Sequence, residues 1–321
     1  TIGTAVWLSA FCLLRALLHP ALLDEPASLL GIAIAHSVFN VLCTILMLPL
    51  SGFLERLVTV LVPDTKQPEV FSELDERLFA TPSIALERCH AVAGDMAETA
   101  VLALDEALEA LRSYSAETAA AVREKEAKTD HYEDILGTYL VKLSARQISE
   151  PDSREAAKLL KMIGDFERIA DHAVNLVESA EELREKDLRL TDAAAAELSV
   201  ISAAVQDILE LALAAFLQND LASAAKVEPL EQVIDRLKER LRTRHILRMQ
   251  KGSCTIDAGF AWLDLLTNLE RTADHCSNIA GCVIDAVHDN LNLHQSLREI
   301  RDGSEEFQER YREYTRRYAL P

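Results

Sequence analysis

The segment DFERIADHAVN at residues 165–175 returns as NLERTADHCSN at 268–278, 103 residues later. Six of the eleven positions are identical, and all but one of those six are polar. A repeat kept only for packing would preserve its apolar positions, so this one preserves something else. Upstream of each copy stands a further acidic pair four residues apart, Glu126/Asp130 before the first and Glu231/Asp235 before the second. The repeat unit is therefore about a hundred residues, too long for a solenoid motif and the right length for a three-helix bundle. Apolar periodicity predicts helices over 83–113, 115–146, 152–187, 191–218, 220–249, 256–291 and 294–318. Turn signals such as SYSAE, ISEPDS, RLTD, QND and KGS separate them. Nothing alternates like a strand for more than a few residues, so the expected fold is all-α with two tandem three-helix bundles.

Residues four apart lie on one helix face, so Glu167, Asp171 and Asn175 form a polar stripe, and Glu270, Asp274 and Asn278 form its copy. A single Glu-x-x-x-Asp is most often a solvated acidic face. Four of them in two matched pairs point further. If the second and third helices of each bundle are neighbours, Glu126, Asp130, Glu167 and Asp171 converge, as do Glu231, Asp235, Glu270 and Asp274. Such clusters repel themselves unless a cation sits among them, and oxygen ligands suit Mg, Mn, Ca or Fe. His172 and His275, one residue beyond each Asp, could add an imidazole ligand or orient a carboxylate from behind. No nucleophile or general base accompanies these acids, so an enzyme is not expected.

Fifty-two acidic residues against 33 basic ones leave a net charge of −19, which disfavours nucleic acid and anionic headgroups and favours cations or basic partners. The six cysteines have no metal-ribbon spacing and read as small buried residues in a reducing compartment.

The first 63 residues carry almost none of that charge. From Pro26 to Leu54 there are 29 residues without Asp, Glu, Lys or Arg, more than the roughly 20 that a spanning helix needs. The 14 uncharged residues before Arg15 read as part of a second, partial membrane helix. His36 and Asn40 share one face of the spanning helix, where they either line a substrate or ion path or bond a neighbouring helix. The expected organisation is membrane segments over 1–63, a linker over 64–82, the bundles over 83–291 and a C-terminal helix over 292–321. With its apolar start and no charged leader, the chain reads as the downstream part of a longer polypeptide.

The tandem bundles with E-x-x-x-D motifs and "ER-x-ADH" resemble the PhoU domain. TIGTAV at the start and AIAHSVFNVLCTILMLPL resemble the last membrane segment of bacterial sodium/phosphate cotransporters, some of which carry a C-terminal PhoU-like domain. The resemblance implies multinuclear metal (Fe, Mn, Mg or Zn) at the eight acids named above, with Na+ as coupling ion and inorganic phosphate as substrate of the parent transporter. It also implies a place for Thr1, Gly3 and Thr4 at the edge of the substrate region. The implied setting is the bacterial inner membrane, multi-pass, with contacts to lipid and the bundles in the cytoplasm. A homo-oligomer or a phosphate-signalling protein would be the partner. The Gln-Ser-Ser-rich repeats of the transport core are missing from this chain. By itself the chain is then not expected to transport. The alternative is a membrane-tethered phosphate-signalling adaptor that does not itself transport, and Gln-Ser-Ser repeats upstream of Thr1 would tell a cotransporter from it.

Overall fold

In the computed structural model, residues 74–288 and 305–321 are described, together with His36, Ser37, Asn40, Val41 and Thr44. The chain divides into two compact units, Thr1–Val70 and Phe71–Pro321. His36 and Asn40 are helical and exposed, and Asn40 O accepts from the Thr44 hydroxyl at 2.9 Å. The rest of the expected membrane segments, with Thr1, Gly3 and Thr4, lies outside the described residues.

The second unit opens with a short 3₁₀ turn, Glu76–Ala80, followed by α1 (Pro82–Arg112), α2 (Ala116–Ser144), α3 (Glu150–Glu185), α4 (Asp192–Gln218), α5 (Leu221–Gln250), α6 (Ile256–His288) and α7 (Glu305–Arg317). All regular structure among the described residues is helical. The helix starts are chemically marked. Ser115, Ser149, Thr191 and Asp220 each accept a backbone N–H two or three residues on, satisfying one of the donors that a helix start leaves free. Asn219 closes α4 with φ 50°, a left-handed conformation that asparagine tolerates. The short turns force antiparallel neighbours, and Ser83 at the start of α1 bonds Asp152 at the start of α3 at 3.2 Å, so the first bundle runs up, down, up.

α1 contacts both α2 and α3, and its buried face is largely alanine (Ala85, Ala93, Ala97, Ala100, Ala103 and Ala107), which lets the backbones approach closely. α4, α5 and α6 repeat the arrangement, and α3 packs on α6 between the bundles. The core is continuous across that seam: Phe166 of α3 and Phe216 of α4 are fully buried with ring centroids 5.0 Å apart. Among the described residues α4 alone is long and apolar enough to cross a membrane. Here it is a bundle helix, tied by Gln206 to Asp105 of α1 at 3.2 Å and by Glu197 to Arg244 and Arg248 of α5 at 2.9 and 2.6 Å.

α7 lies against α5. Arg236 donates to the Tyr311 hydroxyl, Tyr318 donates to Asp207, and Arg317 pairs with Asp207 at 2.6 Å. Truncating Phe166 to Ala should destabilise the unit by about 3–5 kcal/mol through lost burial and a cavity. Leu102→Ala, on an exposed side chain, should stay within roughly 0.5 kcal/mol. Chemical denaturation compares the two.

Candidate metal centres and the seam between them

The repeated polar residues divide into two sets with different neighbours. The acids of the first repeat face one another across α2 and α3. Burial raises the Glu126 carboxyl above its usual range, reinforced by Asp171 and Asp130. Burial, Asp171 and Glu133 push Glu167 up to about 7. In the second repeat burial drives Glu231 up to about 8, with Glu228, Asp274, Asp235 and Glu270 adding to it. Asp274 is raised by burial and by Glu270. Each cluster therefore joins two helices, as the spacing predicts, and in each the acids repel. Arg168 and Arg271 oppose that repulsion from alongside. Among the described residues no three His, Cys, Asp or Glu side chains are gathered tightly enough to hold a metal ion in this conformation.

Three further members of the clusters go unnoticed in the motif. Glu133 stands one turn beyond Asp130 and is itself raised by burial and by Asp130. Glu228 accepts from the Ser277 hydroxyl at 2.7 Å. Lys238 occupies the position aligned with Glu133, and its ammonium lies 2.9 Å from Glu270, a charge contact whose angle does not make it a hydrogen bond. The signal for Glu133 and Lys238 is the i, i+4, i+7 spacing Glu126/Asp130/Glu133 and its aligned copy Glu231/Asp235/Lys238. The second cluster thus carries an internal cation where the first carries another acid.

The histidines and asparagines sit elsewhere, on the α3–α6 seam. His172 Nδ1 lies 2.9 Å and Asn175 Nδ2 3.2 Å from Asn268 Oδ1. In reciprocal fashion His275 Nδ1 lies 2.8 Å and Asn278 Nδ2 3.1 Å from Asp165 Oδ1. Asn268 turns its own amide N–H to Asp264 O at 2.9 Å, which fixes its oxygen as the acceptor. With Asn268 Oδ1 as acceptor, His172 donates from Nδ1. The imidazoles stack on each other with centroids 5.5 Å apart. Burial lowers the pKa of His172. Each copy of the motif thus clamps the first residue of the other copy, and those first residues are the Asp/Asn pair.

Two outcomes test this division. In a double-mutant cycle, His172→Ala and Asn268→Ala should couple by about 1 kcal/mol, whereas His172→Ala with Ser199→Ala, on distant α4, should be additive within roughly 0.5 kcal/mol. The acids act on stability with the opposite sign to a salt-bridged carboxylate. Glu167 and Glu231 titrate higher folded than unfolded, so the stability they allow is full at acid pH and lost as pH rises through about 7 and about 8. Melting of the metal-free chain should fall over that window, and Glu231→Gln should flatten the upper part of it.

Comparison with known proteins agrees with this architecture. The PhoU domain model matches residues 94–180 and 198–283, which together make up more than half of the chain and fall on the two bundles. The phosphate-specific transport system accessory protein PhoU homolog 1 of Thermotoga maritima is 26% identical over 147 residues, covering 46% of this chain and 62% of that protein. The PhoU homolog of Pseudomonas aeruginosa is 27% identical over 203 residues, 63% of this chain and 83% of that one. The crystal structure of PhoU from Pseudomonas aeruginosa superposes with a TM-score of 0.60 at 25% identity, covering 66% of this chain and all of that one. The phosphate transport system regulatory protein PhoU of Streptococcus pneumoniae shares the fold, with a TM-score of 0.59 at 21% identity, 65% of this chain and 98% of that one. With one match on each three-helix repeat, the chain belongs to the PhoU domain family.

Proposed function

We propose that this chain is an accessory, non-catalytic regulator of phosphate transport, tethered to the bacterial inner membrane by residues 1–63 with its helical unit in the cytoplasm. The observation that carries the reading is the match of both repeats to the PhoU domain. Relatives that share these repeats are named as accessory proteins of phosphate-specific transport. Its partner is a phosphate-signalling or phosphate-transport protein, or a second copy.

The acid clusters fit a cation in chemical terms: they are hard oxygen donors and mutually repelling, partly buried except at Asp130 and Asp235, which are exposed. Glu126, Asp130, Glu167 and Asp171 would hold one site, and Glu231, Asp235, Glu270 and Asp274 the other. A bound Fe, Mn, Mg or Zn ion would supply positive charge to each cluster. Lys238 already supplies one charge to the second, so the first is the more demanding site. His172, Asn175, His275 and Asn278 support these sites from the seam rather than within them.

A second reading, favoured by the uncharged run Pro26–Leu54, makes the chain part of a sodium/phosphate cotransporter. Thr1, Gly3, Thr4, His36 and Asn40 would then border the substrate or ion path. Disrupting the gene separates the two. An adaptor's loss should derepress a phosphate-starvation reporter and leave sodium-dependent phosphate uptake intact; a transporter's loss should abolish that uptake. For the metal sites, the chain purified without chelator should carry bound metal. Asp171→Ala with Asp274→Ala should remove it, and metal content unchanged in that double variant would refute the assignment.

A further inference from the structure

The stretch Arg236–Lys251 is rich in cations, seven of its sixteen residues being Lys or Arg and one acidic in a chain of net charge −19. Lys238, Arg244 and Arg248 are paired with Glu270 and Glu197, and Arg236, Arg240, Arg242 and Lys251 are exposed. It forms the second half of α5 and ends at the turn into α6. Beside that turn the structure exposes four large apolar side chains: Ile256 at 72%, Phe260 at 63%, and Ile246 and Leu247 on α5. Ile256 and Phe260 are four residues apart at the start of α6 and share one face.

The tip is built rather than frayed. Ser253 returns both its N–H and its hydroxyl to Arg248 O, and Gly252 takes φ 66° to make the turn. Gly259 packs so tightly on α5 that a Cβ there would come within 2.9 Å of Met249 Sδ and 3.1 Å of His245 Nε2. Buried His245 stacks on buried Trp262 at 5.8 Å, and Arg248, paired with Glu197 at 2.6 Å, covers the other ring contact at 5.4 Å from its centroid. On this base Ile256 and Phe260 are left exposed, as are Arg240, Arg242 and Lys251 of the adjoining stretch.

The fold does not demand these residues. At the aligned positions of α3 the first repeat has Ser153 in place of Ile256 and Ala157 in place of Phe260. The second repeat has therefore gained an apolar pair at the end of a hairpin, with exposed Arg242 and Lys251 on the α5 side and exposed Asp257 between the two apolar residues. Apolar side chains that enter the acyl boundary, with Lys and Arg left at headgroup level, are how interfacial segments hold an anionic bilayer. A single exposed leucine needs no explanation; Ile256 and Phe260, both largely exposed on one face at the start of α6, do.

We infer that the α5–α6 turn is a membrane-docking tip, inserting Ile256 and Phe260 into an anionic lipid surface while Arg242 and Lys251 meet the headgroups. It gives the helical unit a lipid contact of its own, independent of residues 1–63 and of metal at the acid clusters.

Cys254 in the turn is a natural reporter. It is partly exposed and free, while burial pushes the thiols of Cys89, Cys276 and Cys282 upward and makes them unreactive. In the 321-residue chain with Cys12 and Cys43 replaced by Ser, Cys254 is labelled with an environment-sensitive fluorophore. The protein is then mixed with phosphatidylcholine vesicles with or without phosphatidylglycerol. The expected result is a blue shift, and quenching by lipid-borne nitroxides, on the phosphatidylglycerol vesicles. Ile256→Ser with Phe260→Ser should abolish it, and Arg242→Glu with Lys251→Glu should raise the lipid needed by about tenfold. All four substitutions are on exposed side chains, and an unchanged helical circular dichroism spectrum verifies the fold. No shift on either vesicle, an equal shift on both, or a lipid-independent shift that grows with protein concentration would each overturn the inference, the last by giving the tip to a second copy.

Discussion

The seam between α3 and α6 holds the two halves together through two matched acceptors: Asn268 Oδ1, gripped by His172 and Asn175, and Asp165 Oδ1, gripped by His275 and Asn278. This pairing is possible only if the two helices run antiparallel, each reading the other's motif backwards. Asp165 is buried, and its second oxygen has no partner, so the contacts at Oδ1 bear the burden of keeping that carboxylate in the interior. Buried polar groups contribute little net energy when satisfied and cost much when orphaned. Such a clamp therefore selects one register more than it adds stability. A slip by one turn would break all four of these contacts at once, leaving the buried Asp165 carboxylate without a partner.

That register decides where the acid clusters lie. Asp171 precedes His172 and Asp274 precedes His275, so fixing each imidazole at the seam turns the neighbouring carboxylate about 100° around the helix, toward α2 or α5. The Asp-His pair in the repeat is one residue for the seam and one for the cluster. Neither role explains the dipeptide by itself.

The helices were legible because their signals are local. Ser115, Ser149, Thr191 and Asp220 cap the helices that periodicity outlines, and the Glu-x-x-x-Asp spacing places the acids on faces that do meet. The seam was not legible in that way. His172 and Asn175 find their partner 96 and 93 residues away, and nothing in a helical period says which helix a polar stripe will meet. The α5–α6 tip escaped notice for a related reason. Ile256 and Phe260 look like the apolar stripe of an amphipathic helix, and only the packed hairpin shows that their side of the stripe is left exposed.

The two copies have diverged unevenly, and the pattern follows from geometry. A residue of the clamp is constrained by the opposite repeat, so the one change among its three aligned pairs, Asp165 against Asn268, keeps the Oδ1 acceptor that both clamps require. Each acid cluster is built from two helices of one repeat, and each drifts alone. Glu133 in one faces Lys238 in the other, which alters the local charge by two without disturbing a partner. The outer turn is freer still, where Ser153 and Ala157 correspond to Ile256 and Phe260. Constraint falls from the seam outward, so what is preserved marks where the repeats hold each other. The places where the copies differ, Lys238 in the cluster and the apolar tip beyond it, are where the second bundle has acquired chemistry that the first lacks.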